Sequence, residues 1–129
     1  MNLGTLGFPA PFGGIDNYET GNNFGAGLEP FDVTSSRVTG TTYRNNNSYT
    51  IWVSSYSAVG IGAIITSNGI VNGVTANYTQ LGTGGNGESG VTSVTFPVPP
   101  GMTYSTNHNQ GLAYWVEYAR NISEVGELA

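Results

Sequence analysis

Residues 112–118 read Leu112-Ala113-Tyr114-Trp115-Val116-Glu117-Tyr118, and their alternation decides the fold class. Leu112, Tyr114, Val116 and Tyr118 alternate with Ala113, Trp115 and Glu117, the period of a β-strand and not of a helix. Working back along the chain, Val94, Phe96 and Val98 alternate with Ser93, Thr95 and Pro97. Pro99-Pro100-Gly101 closes that run at a turn, and residues 102–106 start another short strand. Residues 58–66, Ala-Val-Gly-Ile-Gly-Ala-Ile-Ile-Thr, read as one buried strand whose glycines allow something to approach closely. Asn68-Gly69 after it predicts a type I′ hairpin turn. Asn72-Gly73 repeats the signal, so either the next strand is very short or one of the two pairs marks a bulge. Residues 75–81 continue extended, and Tyr49, Ile51 and Val53 alternate with Thr50, Trp52 and Ser54. Only residues 123–128 could be helical, as one terminal turn. Short strands separated by Gly, Asn and Pro turns predict an all-β, antiparallel β-sandwich or barrel, with the sandwich preferred.

Composition agrees. Gly, Asn, Ser and Thr supply 60 of the 129 residues, whereas charged residues number 11, with no lysine and a net charge of −5. The helix formers that a bundle or coiled coil needs are the scarce ones. Three arginines on an acidic chain make phosphate neutralisation, and so nucleic-acid binding, untenable. Twelve per cent aromatic content argues against disorder, because a few large rings can build a core. Cysteine is absent, which removes disulfides, thiolate nucleophiles and cysteine metal sites. The first residues show neither a basic segment nor an apolar run of signal-peptide length, and no window suggests a membrane span.

The chain divides into an extended leader over residues 1–35 and a β-domain over residues 36–129. The leader is rich in glycine and proline and holds Phe8, Phe12, Phe24 and Phe31. Those rings are expected to lie against a subunit surface, since free aromatics at this spacing would promote aggregation.

No catalytic set emerges. Gly82-Thr83-Gly84-Gly85-Asn86-Gly87 matches the letters of a dinucleotide fingerprint, but the following Glu88-Ser89-Gly90-Val91-Thr92 reads as a strand and not the helix that would hold a pyrophosphate. Of Asp16, Glu19, Glu29, Asp32, Glu88 and Glu117, only Glu117 sits on a firm strand, and its sequence context shows no partner carboxylate for glycosidic chemistry. His108 is the sole histidine; it has no evident orienting acid, and only symmetry copies around a trimer axis could join it in a metal site. The expectation is a non-enzymatic protein without metal or cofactor.

Polar loops with interspersed tyrosines are the better candidates for function. Residues 43–49 and 104–110 combine aromatic rings with amide side chains, a composition suited to stacking on a sugar while bonding its hydroxyls. Tyr104, Asn107, His108 and Asn109 are the leading candidate receptor contacts, with Tyr43 and Asn45 second. The glycine loop 82–90 ranks below them. With few charges nearby, a neutral glycan suits this surface better than a polyanion.

Several stretches taken together resemble a known family. Thr42-Tyr43-Arg44-Asn45, Tyr49-Thr50-Ile51-Trp52-Val53, Asn68-Gly69-Ile70-Val71-Asn72-Gly73, Val94-Thr95-Phe96-Pro97-Val98-Pro99-Pro100-Gly101-Met102-Thr103-Tyr104 and Tyr114-Trp115-Val116-Glu117 follow in an order similar to the C-terminal receptor-binding tip domain of tailed-bacteriophage tail fibres. R-type bacteriocin fibres have similar heads. The resemblance spans about residues 40–118; where the family often has a Gly-Arg/Lys-Pro step, this chain has Asn46-Asn47-Ser48. It implies a homotrimeric, cofactor-free β-sandwich knob that joins other tail components, attaches the virion to a bacterial cell-surface glycan or other receptor, and is assembled in the host cytoplasm. The trimer contact is expected on one face of the last strand and on residues 58–66, with Trp115 as its anchor. Rival readings are a monomeric carbohydrate-binding module and a structural virion protein that binds no receptor.

Overall fold

Inward-facing residues at every second position generate the sheets. The computed structural model describes residues 27–82 and 87–129, and these form eleven strands. They are β1 (Glu29–Asp32), β2 (Tyr43–Arg44), β3 (Ile51–Ser57), β4 (Gly60–Ile61), β5 (Ile64–Val71), β6 (Val74–Gly82), β7 (Ser89–Gly90), β8 (Ser93–Val98), β9 (Thr103–His108), β10 (Leu112–Ala119) and β11 (Glu127–Leu128). One five-stranded sheet runs β11-β2-β9-β5-β6 and one four-stranded sheet runs β1-β10-β3-β8, while β4 and β7 pair by themselves. Every pairing is antiparallel. Helical structure among the described residues is limited to 3₁₀ turns at Thr34–Ser36 and Ile122–Glu124.

The two sheets share one core. Tyr43 and Tyr104 from the five-stranded sheet meet Ile51, Val53, Val94, Phe96, Val98, Trp115 and Ala119 from the four-stranded one. This layering is consistent with a β-sandwich. Trp115 is fully enclosed and meets Tyr43 edge-on at 5.6 Å. Burying rings of this size contributes about 1.5–3 kcal/mol each as an upper figure.

Two turns follow their residues directly. Asn72 (φ 53°) and Gly73 (φ 82°) both take left-handed backbone, which makes the β5–β6 connection a type I′ turn. Gly101 (φ 77°) follows Pro100, and the Met102 N–H donates to the Pro99 carbonyl at 3.2 Å, as a type II turn requires.

Elsewhere the structure corrects the sequence reading. Asn68-Gly69 is not a turn but lies inside β5, where a Cβ on Gly69 would come within 2.5 Å of the Phe96 ring. That glycine makes room between the sheets. The neighbouring irregularity is a bulge, since Gly69 pairs with Asn77 and Ile70 with Thr75, leaving Ala76 without an opposite residue. Residues 58–66 are not one buried strand. Gly62 (φ 62°) bends the chain between β4 and β5, and Ile61 and Ile64 are exposed. The β-region also starts before residue 36. Residues 29–32 form β1 on the edge of the four-stranded sheet, Val33 enters the core and Phe31 packs against it. Phe8, Phe12 and Phe24 lie outside the described residues.

Candidate functional site

β10 presents two chemically distinct faces. Its inner face holds Trp115, Glu117 and Ala119, and its outer face holds Tyr114, Val116 and Tyr118.

Glu117, which the sequence left without a partner, is the most heavily bonded side chain inside. Its carboxylate is fully buried and receives the Arg37 Nε–H at 3.0 Å and Nη2–H at 3.1 Å as a fork. The Tyr104 hydroxyl donates at 2.7 Å, the Trp115 indole N–H at 2.8 Å and the Gly126 backbone N–H at 2.8 Å. Burial opposes the Arg37 charge, yet the contact with Glu117 outweighs it and holds the guanidinium above its ordinary pKa. Burial, reinforced by the Glu117 charge, pushes the Tyr104 phenol far up, so it remains a neutral donor. Charge and donors balance here, and the cluster is closed to solvent. It fixes β9, β10 and the segments around Arg37 and Gly126 to one another.

His108 forms a second buried polar cluster. Its Nε2 lies 2.6 Å from the Ser55 hydroxyl and its Nδ1 2.6 Å from the Ser67 hydroxyl, which continues to Thr92 at 2.6 Å. Both ring nitrogens are occupied, so copies of His108 cannot meet on a symmetry axis to hold a metal. Among the described residues no three His, Asp or Glu side chains converge on a metal position. Burial among hydroxyls lowers the His108 pKa. The unfolded chain therefore takes up a proton near the ordinary value of about 6.5 while the folded chain resists it. The stability that neutral His108 confers is complete above about pH 6.5 and is lost as pH falls toward the folded pKa. We expect the gap in unfolding free energy between wild type and His108→Gln, measured by urea denaturation, to shrink between pH 7 and pH 5. A pH-independent gap would contradict this account.

The outer face of the four-stranded sheet is different in kind. Register places Tyr114 opposite Tyr56, Val116 opposite Ser54 and Tyr118 opposite Trp52. Pro30 flanks Tyr118 and Pro97 flanks Trp52, so the last row runs Pro30, Tyr118, Trp52, Pro97 across the sheet. Tyr114 is 57% exposed and Tyr56 46% exposed, and their rings meet edge-on at 6.3 Å. Ser54, Tyr56, Tyr114, Val116 and Tyr118 line a shallow groove of about 250 Å³. The charged residue at its margin is Asp32, opposite Val116, whose carboxyl is held below the usual carboxylate range by hydrogen bonds from the Thr34 side chain and backbone. Flat aromatic surface beside hydroxyls is suited to stacking on the apolar face of a sugar ring.

The six residues selected from sequence do not form such a surface. Residues 103–108 are a strand and not a loop, so alternation turns Tyr104 and His108 inward and Asn107 outward. Tyr43 is buried, and its hydroxyl accepts from the Val38 N–H. Asn45 is buried too; its amide donates to the Tyr49 and Val98 carbonyls and its oxygen accepts from the Asn47 N–H. Asn109 is exposed but tied to β5, accepting from the Thr66 N–H and donating to the Ile64 carbonyl. Only Asn107 and Asn109 reach the surface. The contact anchor expected at Trp115 is likewise internal, and the space beside Gly60 is filled by Ile65 of the same chain. The signal for the exposed platform was the alternation of β10 itself, whose opposite face holds the exposed tyrosines.

No protein-family model matches the chain, and no curated protein is similar to it in sequence.

Proposed function

We propose that the chain is a receptor-binding tip of a tailed-phage tail fibre, working as a homotrimer, and that the outer face of its four-stranded sheet holds a neutral glycan of the bacterial surface. The tail-fibre part of this reading rests on the sequence resemblance. The observation that supports binding is the exposed pair Tyr56 and Tyr114 beside Tyr118 and Ser54, on a sheet face whose margin, among the described residues, carries the Asp32 carboxylate opposite Val116. The reading assigns binding without catalysis: the polar clusters that could do proton chemistry are sealed inside, whereas the platform offers rings and hydroxyls. A monomeric carbohydrate-binding module would use the same face, and light scattering separates the two, three chains per particle supporting the fibre tip.

Tyr56 and Tyr114 are half-exposed and outside the core, so replacing both by alanine should leave the fold intact by circular dichroism. Attachment to susceptible cells should weaken on the order of tenfold or more, since each tenfold corresponds to about 1.4 kcal/mol. High salt should leave wild-type attachment unchanged, because no ion pair is involved. Full attachment by the folded double variant would reject this face as the site. Strong salt sensitivity would reject a neutral ligand.

A further inference from the structure

The outer face of the five-stranded sheet carries a pocket that neither buried cluster uses. Register sets Ser105 opposite Ile70, Ile70 opposite Thr75 and Thr103 opposite Arg44 on that face. Thr42, Ile70, Gly73, Thr103, Tyr104 and Ser105 line a pocket of about 200 Å³ there. Sites for drug-sized ligands take about 300–1,000 Å³, so this one has room for a single small ring. Alternation turns Ser105 outward, yet it is only 8% exposed, a short residue recessed among its neighbours. Among the described residues, no hydrogen bond takes up the hydroxyls of Thr42, Thr103 and Ser105. The recessed hydroxyls of Ser55, Ser67 and Thr92, by contrast, are all paired around His108. Asn68 lies diagonal to Ser105 across the β5–β9 pair, and its Oδ1 is enclosed without a partner. Native structures seldom leave such an acceptor unpaired.

We propose that this pocket is a second binding site and takes one neutral sugar ring. Its three hydroxyls each donate and accept, as the hydroxyls of a sugar require. Ile70 gives the C–H groups of the ring an apolar contact. A sugar hydroxyl also supplies the donor that Asn68 Oδ1 lacks, once that amide turns toward the pocket. No lining residue is charged. Arg44 at the margin donates to the Gly101 carbonyl at 2.7 Å and stands opposite Glu127, so no free cation selects an anion. The pocket lies on the other sheet from Tyr56 and Tyr114 and stands without the reading of their face. With both faces occupied, one domain holds two sugars at once, which raises avidity for a surface that repeats them.

The test titrates the isotope-labelled full chain with D-glucose, D-galactose, D-mannose and N-acetyl-D-glucosamine, each separately at millimolar concentration. At least one sugar should shift the amide signals of Ile70, Thr103 and Ser105 saturably. Ser105→Ala with Thr103→Val removes two hydroxyls at nearly constant size, so the fold should persist by circular dichroism. Affinity should then fall at least tenfold. Should the double variant misfold, Ser105→Ala alone carries the test, with an expected loss of about threefold to tenfold. Arg44→Gln should change nothing. Failure of all four sugars to move these signals would overturn the proposal, as would wild-type affinity in the folded double variant. Sodium sulfate moving them more than any sugar, with the effect lost in Arg44→Gln, would also overturn it by making the pocket an anion site. Tyr56→Ala/Tyr114→Ala should leave the shifts at Ser105 intact while weakening cell attachment, so the two proposals fail separately.

Discussion

Glu117→Ala should cost about 3–5 kcal/mol, the range for removing one partner of a buried ion pair and leaving the other charge behind. The loss extends beyond Arg37. The Tyr104 hydroxyl, the Trp115 indole N–H and the Gly126 N–H each lose their acceptor in a space with no access to water. Set against a typical domain stability of about 5–15 kcal/mol, such a change leaves the fold marginal at best. Urea denaturation should show the midpoint falling steeply with little change in slope. Glu117→Gln keeps the shape but discards the charge that compensates Arg37, and should also destabilise. Adding Arg37→Met to Glu117→Ala should recover part of the loss, because the stranded guanidinium is then gone. A single Glu117→Ala variant within about 1 kcal/mol of wild type would show that the cluster is not what fixes β10.

This bears directly on the face proposed to hold a glycan. Glu117 and Trp115 set β10 from inside, and Tyr114, Val116 and Tyr118 on the same strand form the platform outside. Damage to the buried cluster would therefore disturb the proposed binding face indirectly, through the fold. Only substitutions on the outer face, such as those at Tyr56 and Tyr114, probe recognition itself.

How far the residues announced this arrangement differs from element to element. β3, β8 and β10 were legible because alternation and a shared buried face coincide there. The β-class followed from them. Which face of β10 is buried was not legible, since both faces carry aromatics and period 2 is symmetric between them. The turn at Asn72-Gly73 and the strand glycine at Gly69 have the same dipeptide signature, and only the Phe96 ring lying over Gly69 tells them apart. Residues 104–110 look like a loop because Ser, Thr, Asn and His dominate them. In the structure those polar groups are satisfied across the sheets, His108 by Ser55 and Ser67, and Tyr104 by Glu117. Long-range partners of this kind, such as Arg37 and Glu117 at 80 positions apart, leave no local trace.

Gly126→Ala should be the most damaging change that adds a single methyl group. Gly126 is not in left-handed backbone, so alanine meets no conformational penalty of its own. The obstacle is space. A Cβ there falls onto the Tyr104 hydroxyl and within 2.6 Å and 2.8 Å of two of its ring carbons. Tyr104 cannot simply move aside, because its hydroxyl donates to Glu117 and its ring packs near Tyr43 and Trp115, with centroids at 6.1 Å and 6.5 Å. The Gly126 N–H bonds Glu117 and its carbonyl accepts from Arg37 at 2.7 Å, so the backbone cannot retreat without breaking the cluster from the other side. Overpacking of this kind costs about 1–3 kcal/mol, and here the loss of a buried hydrogen bond adds to it. Tyr104→Leu removes the hydroxyl and the ring atoms that block the methyl group, at a cost of its own. In the Tyr104→Leu background, adding Gly126→Ala should therefore be nearly free. The coupling, read by urea denaturation of the four proteins, should favour the double variant by more than about 1 kcal/mol. Additive costs would mean that Tyr104 does not occupy the space beside Gly126, and the packing of β9 on the C-terminal segment would have to be redrawn.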